Sequence, residues 1–344
     1  MSLILSFVLI TGVAPPSAAP ASTLGELEHA MESTKEKVRA RAALLLGAVA
    51  GSESTGLLES AAENDPSVLV RLACVEAMLN RRSARGLPAL FRVGALDQAR
   101  AVRALVAERL PALIDSKSLP FIRRAFEERD PRVRALIMRT LPVPLPESFY
   151  ALLVRAHADY PEVRSAAFAR AMLLDDSVRW SLFEQIARSV QEDAARGMAE
   201  ELGHVDDHRV VPILLMVFDR GESSPELRRA AVTALSHARR HLPLRELLAQ
   251  ARESTHSHVR MRALKLLETI GGESVIETMM AVLEDPELPV RATAAMVLAR
   301  LGHRGAVSKL ETMALDPVNQ RIVGHLERAL EILRMGTQMS EERR

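Results

Sequence analysis

The sequence predicts an all-α fold, an α-solenoid of about ten two-helix repeats. Three observations carry this: a dipeptide in one register along the whole chain, helix-start signals ahead of it, and an apolar fraction made of helix formers. The dipeptide is a small or β-branched residue followed by Arg. It recurs at Val38-Arg39, Val70-Arg71, Val102-Arg103, Val133-Arg134, Val163-Arg164, Ala195-Arg196, Leu227-Arg228, Val259-Arg260, Val290-Arg291 and Gln320-Arg321. Successive arginines are 32, 32, 31, 30, 32, 32, 32, 31 and 30 residues apart. Such a period is that of one supersecondary unit, which buries its apolar face only against its neighbours.

Each unit reads as two helices, A and then B. Helix B starts at the dipeptide, and Asp65-Pro66, Asp130-Pro131, Asp285-Pro286 and Asp316-Pro317 announce it. Aspartate accepts from the free N–H groups of a first helical turn, and proline fits the first helical position. Tyr160-Pro161 and Ser224-Pro225 are weaker forms of the signal. Four residues after the first dipeptide position stand Ala42, Cys74, Val106, Ile137, Ala167, Ala199, Ala231, Ala263, Ala294 and Gly324, mostly small. Eight after it stand Leu46, Leu110, Leu141, Leu235, Leu267 and Leu298. These positions share one helix stripe, and small residues on it let helices approach closely. Helix A precedes each turn, as at Leu57–Ala62, Leu87–Val93, Leu119–Phe126, Val211–Phe218, Val275–Leu283 and Val307–Ala314. Pro142, Pro144 and Pro146 end the fourth helix B early, and Gly271-Gly272 ends the eighth.

Composition agrees. Hydrophobic residues make up 48% of the 344 but aromatics only 3%, so the core material is Ala, Leu, Val and Met, whereas strands favour aromatic and β-branched residues. Net charge is +1, which gives no global attraction to nucleic acid or acidic membranes. The charge is uneven: residues 71–141 carry +8 and residues 142–222 carry −6. Cys74 is the only cysteine, which excludes an intramolecular disulfide and any multi-cysteine zinc site. At the N-terminus, Leu3–Val13 is an apolar run followed by Ala19-Pro20-Ala21, which fits a small-residue cleavage site, although no Lys or Arg precedes the run. It falls short of the about 20 residues that span a bilayer. We therefore expect a signal peptide or disordered leader over residues 1–21, repeats over 22–335 and a polar tail over 336–344. A cleaved signal would place the mature protein in a bacterial periplasm or envelope; otherwise it would be cytoplasmic.

The stretch Asp285-Pro-Glu-Leu-Pro-Val-Arg291, followed by Ala294-Ala295, Leu301-Gly302 and Gly305-Ala-Val307, resembles a HEAT repeat. The resemblance extends over residues 24–335 and looks most like the short, phycobilisome-lyase-type HEAT-like repeat of about 30 residues. The 34-residue period and the Trp/Tyr pattern of tetratricopeptide repeats are absent. The resemblance implies that Arg39, Arg71, Arg103, Arg134, Arg164, Arg228, Arg260 and Arg291 form a ladder with aspartates at the turns between repeats. A structural role suits them, because an Arg stem can lie on apolar surface while its fork meets a carboxylate.

Motifs for chemistry are lacking. Deoxyhypusine hydroxylase, a HEAT-like metalloenzyme, would require His-Glu pairs, and none of the ten histidines precedes Glu. His204-Val-Asp-Asp-His208 and His256-Ser-His258 gather metal-ligating side chains, but at turns where polar residues are expected, with no third ligand fixed by spacing. Trp180 reads as a packing residue, spaced with Leu182 and Phe183. No Gly-rich phosphate loop or nucleophile elbow is present. No catalytic residue, metal or cofactor is expected.

The helix-B position six after the start of the dipeptide is the one expected to face the inner surface, where such arrays bind. It reads Leu44, Glu76, Glu108, Arg139, Ala169, Glu201, Thr233, Lys265, Met296 and Leu326. The expected function is a non-catalytic scaffold that binds a protein or peptide there. Glu76, Glu108, Arg139, Glu201 and Lys265 are its contacts, together with the loop cluster Arg81, Arg82 and Arg85. A bilin-lyase-type enzyme or subunit, or a nucleic-acid binder working through the basic band 71–141, are the alternatives.

Overall fold

The computed structural model describes residues 23–220 and 224–341, with side chains to residue 335. The expected leader over residues 1–21 and all of the side chains of the tail over 336–344 lie outside the described residues. The described residues contain twenty α-helices and no strand, joined by short turns and 3-10 segments. This is the expected α-solenoid class. The chain divides into two compact units between Met198 and Ala199.

In the first unit the A and B helices of successive repeats are α1 (Leu24–Met31) and α2 (Glu36–Leu46), α3 (Ser52–Asn64) and α4 (Val68–Arg81), α5 (Leu87–Leu96) and α6 (Arg100–Arg109), α7 (Leu119–Ala125) and α8 (Pro131–Thr140), α9 (Tyr150–Ala156) and α10 (Pro161–Ala171). The sixth A helix, α11 (Asp176–Arg188), follows, and the division falls within its partner α12 (Glu192–Leu202). B helices pack on the next B helix, α2 on α4, α4 on α6 and α8 on α10; A helices do likewise, α3 on α5 and α5 on α7. The fourth repeat departs from this pattern. Its short α7 follows two 3-10 turns, and α8 leans on the preceding repeat's A helix, α5.

The second unit holds the end of α12, then α13 (Val210–Arg220) and α14 (Pro225–His237), α15 (Leu244–Glu253) and α16 (Ser257–Ile270), α17 (Glu273–Val282) and α18 (Leu288–Arg300), α19 (Val307–Leu315) and α20 (Val323–Glu341). The B helices α14, α16, α18 and α20 stack in order.

The stripe read from sequence is the core. Val70, Val102, Val133, Val163 and Val290 are buried, as are Cys74, Val106, Ile137, Ala167, Ala231, Ala263 and Ala294 and the leucines eight positions on. Two repeats depart from it. Val38 is exposed at 41%, and in the tenth repeat Gln320-Arg321 lies in a 3-10 segment, Pro317–Ile322, ahead of α20. There the register breaks: Gly324 is exposed, and Leu326, Ala329, Leu330 and Leu333 form the buried face. The proline run does end α8 at Thr140, and Gly271 and Gly272 both take positive φ after α16. The Asp-Pro signals work in two ways. Asp130 caps α8 directly, accepting from Arg132 N at 2.9 Å with Pro131 as the first helical residue. Asp65 and Asp285 instead close a turn on the N–H two residues ahead, and their helices begin later.

Candidate interaction surface

Two sets of charged residues run along each unit: one welds repeats together, the other faces solvent. The welding set is the arginine ladder. Arg39 donates from Nε and Nη2 to both oxygens of Asp65, at 2.8 and 3.0 Å, and from Nη1 to the Ser33 carbonyl at 2.8 Å. Arg71 holds Asp97 at 2.7 and 3.0 Å and the Asp65 carbonyl at 2.9 Å. Arg134 holds Asp159 at 2.7 and 2.8 Å; in the second unit Arg260 holds Asp285 at the same distances. Each carboxylate also closes its own turn: Asp65 accepts from Ser67 N, Asp97 from Ala99 N and Asp285 from Glu287 N. One aspartate therefore shapes the A–B turn of its repeat and clamps the repeat before it. Bidentate, charge-assisted geometry makes these the strong kind of pair. Despite the desolvation that opposes it, Arg39 holds the Asp65 carboxyl below the usual carboxylate range through its hydrogen bonds and charge.

Three of the other four expected rungs are arranged as follows. Arg291 donates to the amide oxygen of Asn319 at 2.9 Å instead of to a carboxylate. Arg228 lies over the Phe218 ring, 5.2 Å from its centroid, and the rung position of the next repeat is Ser254. Arg103 keeps the carbonyl anchors, Asp97 O at 2.6 Å and Gln98 O at 3.0 Å, but meets no carboxylate. The residue in its rung position is Glu128, whose longer side chain turns to Arg92 at 2.8 Å.

The basic cluster after α4 separates into two kinds of residue. Arg81 is not a loop residue. It ends α4 and folds back over the end of α2, donating to the carbonyls of Gly47 (3.1 Å), Leu46 (2.7 Å) and Val49, and to the hydroxyls of Thr55 (2.7 Å) and Ser54 (2.6 Å). Leu46 O also accepts from Val49 N and Val49 O from Ser54 Oγ, so Arg81 is a cap that adds a further donor to the carbonyls at and just beyond the end of α2, and burial lowers its pKa. Arg82 takes φ 51° in the turn that follows and is exposed. Arg85, also exposed, lines a depression of about 650 Å³ with Glu59, Arg92, Arg124, Glu127 and Asp130. Much of the +8 of residues 71–141 is internally matched: Arg71 and Arg134 in the ladder, Arg92 to Glu63 and Glu128, Arg109 to Glu76, Arg132 to Asp130.

Helix-B residues six after the dipeptide range from exposed to buried. In the first unit Glu108, Arg139 and Ala169 are exposed and Leu44 and Glu76 half-buried. Glu76 bridges two B helices: Arg109 on α6 reaches it at 2.5 Å and also holds Asn80. In the second unit Glu201, Lys265 and Met296 are half-buried and Thr233 exposed, whereas Leu326 is fully buried because the tenth register has shifted.

The histidine groups are arranged otherwise than as ligand sets. Asp207 pairs with Arg209, whose hydrogen bonds pull its carboxyl down to about 2. Asp206 pairs with Arg240 and His241. His256 and His258 stack on each other at 5.5 Å. Among the described residues no three His, Cys, Asp or Glu side chains converge as metal ligands, and no helix is long and apolar enough to cross a membrane.

One cluster was beyond sequence reading. His157, after α9, is fully buried; its Nδ1–H donates to the Leu153 carbonyl at 2.8 Å, and its Nε2 finds no partner. Phe168 and Phe183 meet its ring edge-on at 6.5 and 6.4 Å, and Trp180 meets Phe183 at 5.8 Å. Gly197 closes the cluster from α12: a Cβ there would stand 2.1 Å from the His157 carbonyl oxygen.

The family model described as HEAT repeats matches residues 244–331, which run from α15 into α20. No curated protein matches the sequence. Among solved structures, the karyopherin Kap121p bound to the extreme C-terminus of the protein phosphatase Cdc14p aligns over 95% of this chain and 44% of its own, with 14% identity and a TM-score of 0.39. The condensin Cnd3–Cnd2 subcomplex of S. pombe aligns over 89% and 59%, with 13% identity and a TM-score of 0.30. Human deoxyhypusine hydroxylase aligns over 81% and 96%, with 16% identity and a TM-score of 0.26. The chain thus spans less than half the length of the karyopherin it matches. Residues 244–331 thus match HEAT repeats, and the repeat register read from the sequence runs through that segment and on toward the N-terminus.

Proposed function

We propose that this protein is a non-catalytic scaffold that binds a protein or peptide along the solvent-facing row of its B helices. The supporting observation is in the first unit, where Glu108 and Arg139 project, exposed, from successive B helices. The surrounding ladder and cap arginines, by contrast, are spent on holding repeats together. Glu76 belongs to this row as a support, since its carboxylate is already shared with Arg109. Such a row offers charge complementarity, which governs register and on-rate of an extended partner more than raw affinity. If residues 1–21 act as a signal peptide, the partner is met outside the cytoplasm; the mass of the mature N-terminus tests that separately.

The test is site-specific photo-crosslinking in the native cell, with the probe at position 108 or 139 and, as control, at Glu53 on the exposed face of the A helix α3. A partner protein crosslinked from 108 and 139 and absent from 53 supports the proposal. Equal crosslinking from all three, or crosslinking from position 53 alone, overturns it.

A further inference from the structure

The ladder is interrupted at Arg103. In the rungs at Arg39, Arg71, Arg134 and Arg260, Nη1 is tied to the carbonyl six residues back, and that tie aims the Nε/Nη2 edge at an aspartate of the next repeat. Arg103 has the same tie, to Asp97 O, with Gln98 O as a second anchor. Its rotamer is therefore fixed and its fork pre-aimed, yet the carboxylate is missing because Glu128 is held by Arg92. The third and fourth repeats are also where α8 leans on α5, so the junction differs in packing as well as in pairing. Arg103 is half-exposed, and exposed Arg100 and Arg129 stand in or beside the two turns, while Arg132 is paired with Asp130. Asp97 and Gln98, whose carbonyls anchor Arg103, also line a groove of about 490 Å³ on the side of Pro66 and Arg71, so the turn that carries the Arg103 anchors is open to solvent on that side.

We propose that Arg103 is a carboxylate-binding site, which takes an Asp or Glu side chain of a partner polypeptide as the missing rung. A pre-oriented guanidinium edge loses little freedom on binding, and a planar bidentate fork selects a planar carboxylate over a tetrahedral anion of equal charge. The site lies at the A–B turns, away from the row of Glu108 and Arg139, and stands whether or not that row binds a partner.

The experiment follows the arginine Nε–Hε signals of the full-length ¹⁵N-labelled chain during titration with acetyl-Gly-Asp-Gly-amide, its Asn counterpart and inorganic phosphate. The Arg103 signal is assigned by its loss in Arg103→Lys. It is expected to shift saturably with the Asp peptide and to stay still with the Asn peptide. Glu128→Asp shortens the competing side chain to the rung's own length, which should fill the site internally and weaken peptide binding about tenfold. In Arg103→Lys, which keeps the charge and loses the fork, the peptide-induced amide shifts of Gln98 and Ala99 should vanish. No saturable shift with the Asp peptide, or unchanged binding in both variants, overturns the proposal. So does phosphate acting at lower concentration than the peptide, which would assign the site to phosphates, including those of nucleic acid.

Discussion

Protonation of His157 should unfasten the first unit at mildly acidic pH. Burial pushes its pKa from 6.5 down to about 4, partly offset by the bond to Leu153 and reinforced by the nearby Arg164 charge. The folded value lies below the unfolded one, so the unfolded chain takes up the proton first. Stability is full above about pH 6.5 and falls until about pH 4, where both states are protonated. The interval of about 2.5 pH units, at 1.36 kcal/mol each, amounts to about 3 kcal/mol. This is a large share of the 5–15 kcal/mol typical of a domain. Trp180 is the only tryptophan and sits beside Phe183 in the same cluster, so its fluorescence reports on this unit during urea unfolding. The reference is His157→Phe, which removes the ionisable group and keeps a ring against the stacked Phe168 and Phe183. The wild type should lose about 2 to 3 kcal/mol more than the variant between pH 7 and pH 4.5. An equal loss in both proteins would show that this imidazole does not carry the acid sensitivity.

Other perturbations probe the clamps and the packing. Asp97→Ala leaves the Arg71 fork unmatched at a site only 12% exposed and also opens the turn at Ala99, so it should cost about 3 kcal/mol by urea denaturation; pairing it with Arg71→Met should recover part of that loss. Gly197→Ala forces a methyl group against the His157 carbonyl, and a loss of about 2 to 3 kcal/mol is expected in the Trp180-detected transition. The Cys74 thiol, pushed up to about 12 by burial, should resist iodoacetamide at pH 8 in the native protein and react fully in urea, as read by mass spectrometry. Rapid native labelling would mean that α4 opens readily.

The periodic skeleton was legible because a stripe at positions 0, +4 and +8 has a strict helical period and recurs at one spacing; Val70, Cys74 and Leu110 went straight into the core. Side-chain pairing between repeats was less legible, since it depends on how far a side chain reaches across a junction. Arg81 read as a loop cation, but its stem reaches the end of α2, thirty-odd residues earlier. Glu76 read as a free contact, although Arg109 stands opposite it one repeat on. The arginines of the ladder were visible, and their partners only where the acid is an aspartate one step ahead of the turn. The tenth unit misled because Arg321 keeps the spacing while a 3-10 segment takes the place of the helix start. His157 gave no sequence signal at all: its burial comes from phenylalanines on two later helices.

Because each ladder aspartate both folds its own turn and grips the arginine behind it, the connection between neighbouring repeats hangs on the length of one side chain. Asp97 and Glu128 stand at equivalent places and carry the same charge, yet the first locks onto Arg71 and the second swings away to Arg92. Where the acid is an aspartate the two adjacent repeats are bolted together, and where it is one methylene longer, at a junction that is also packed differently, the socket is left open. Repetition of an almost identical unit can in this way yield joints of unequal stiffness without any change in net charge.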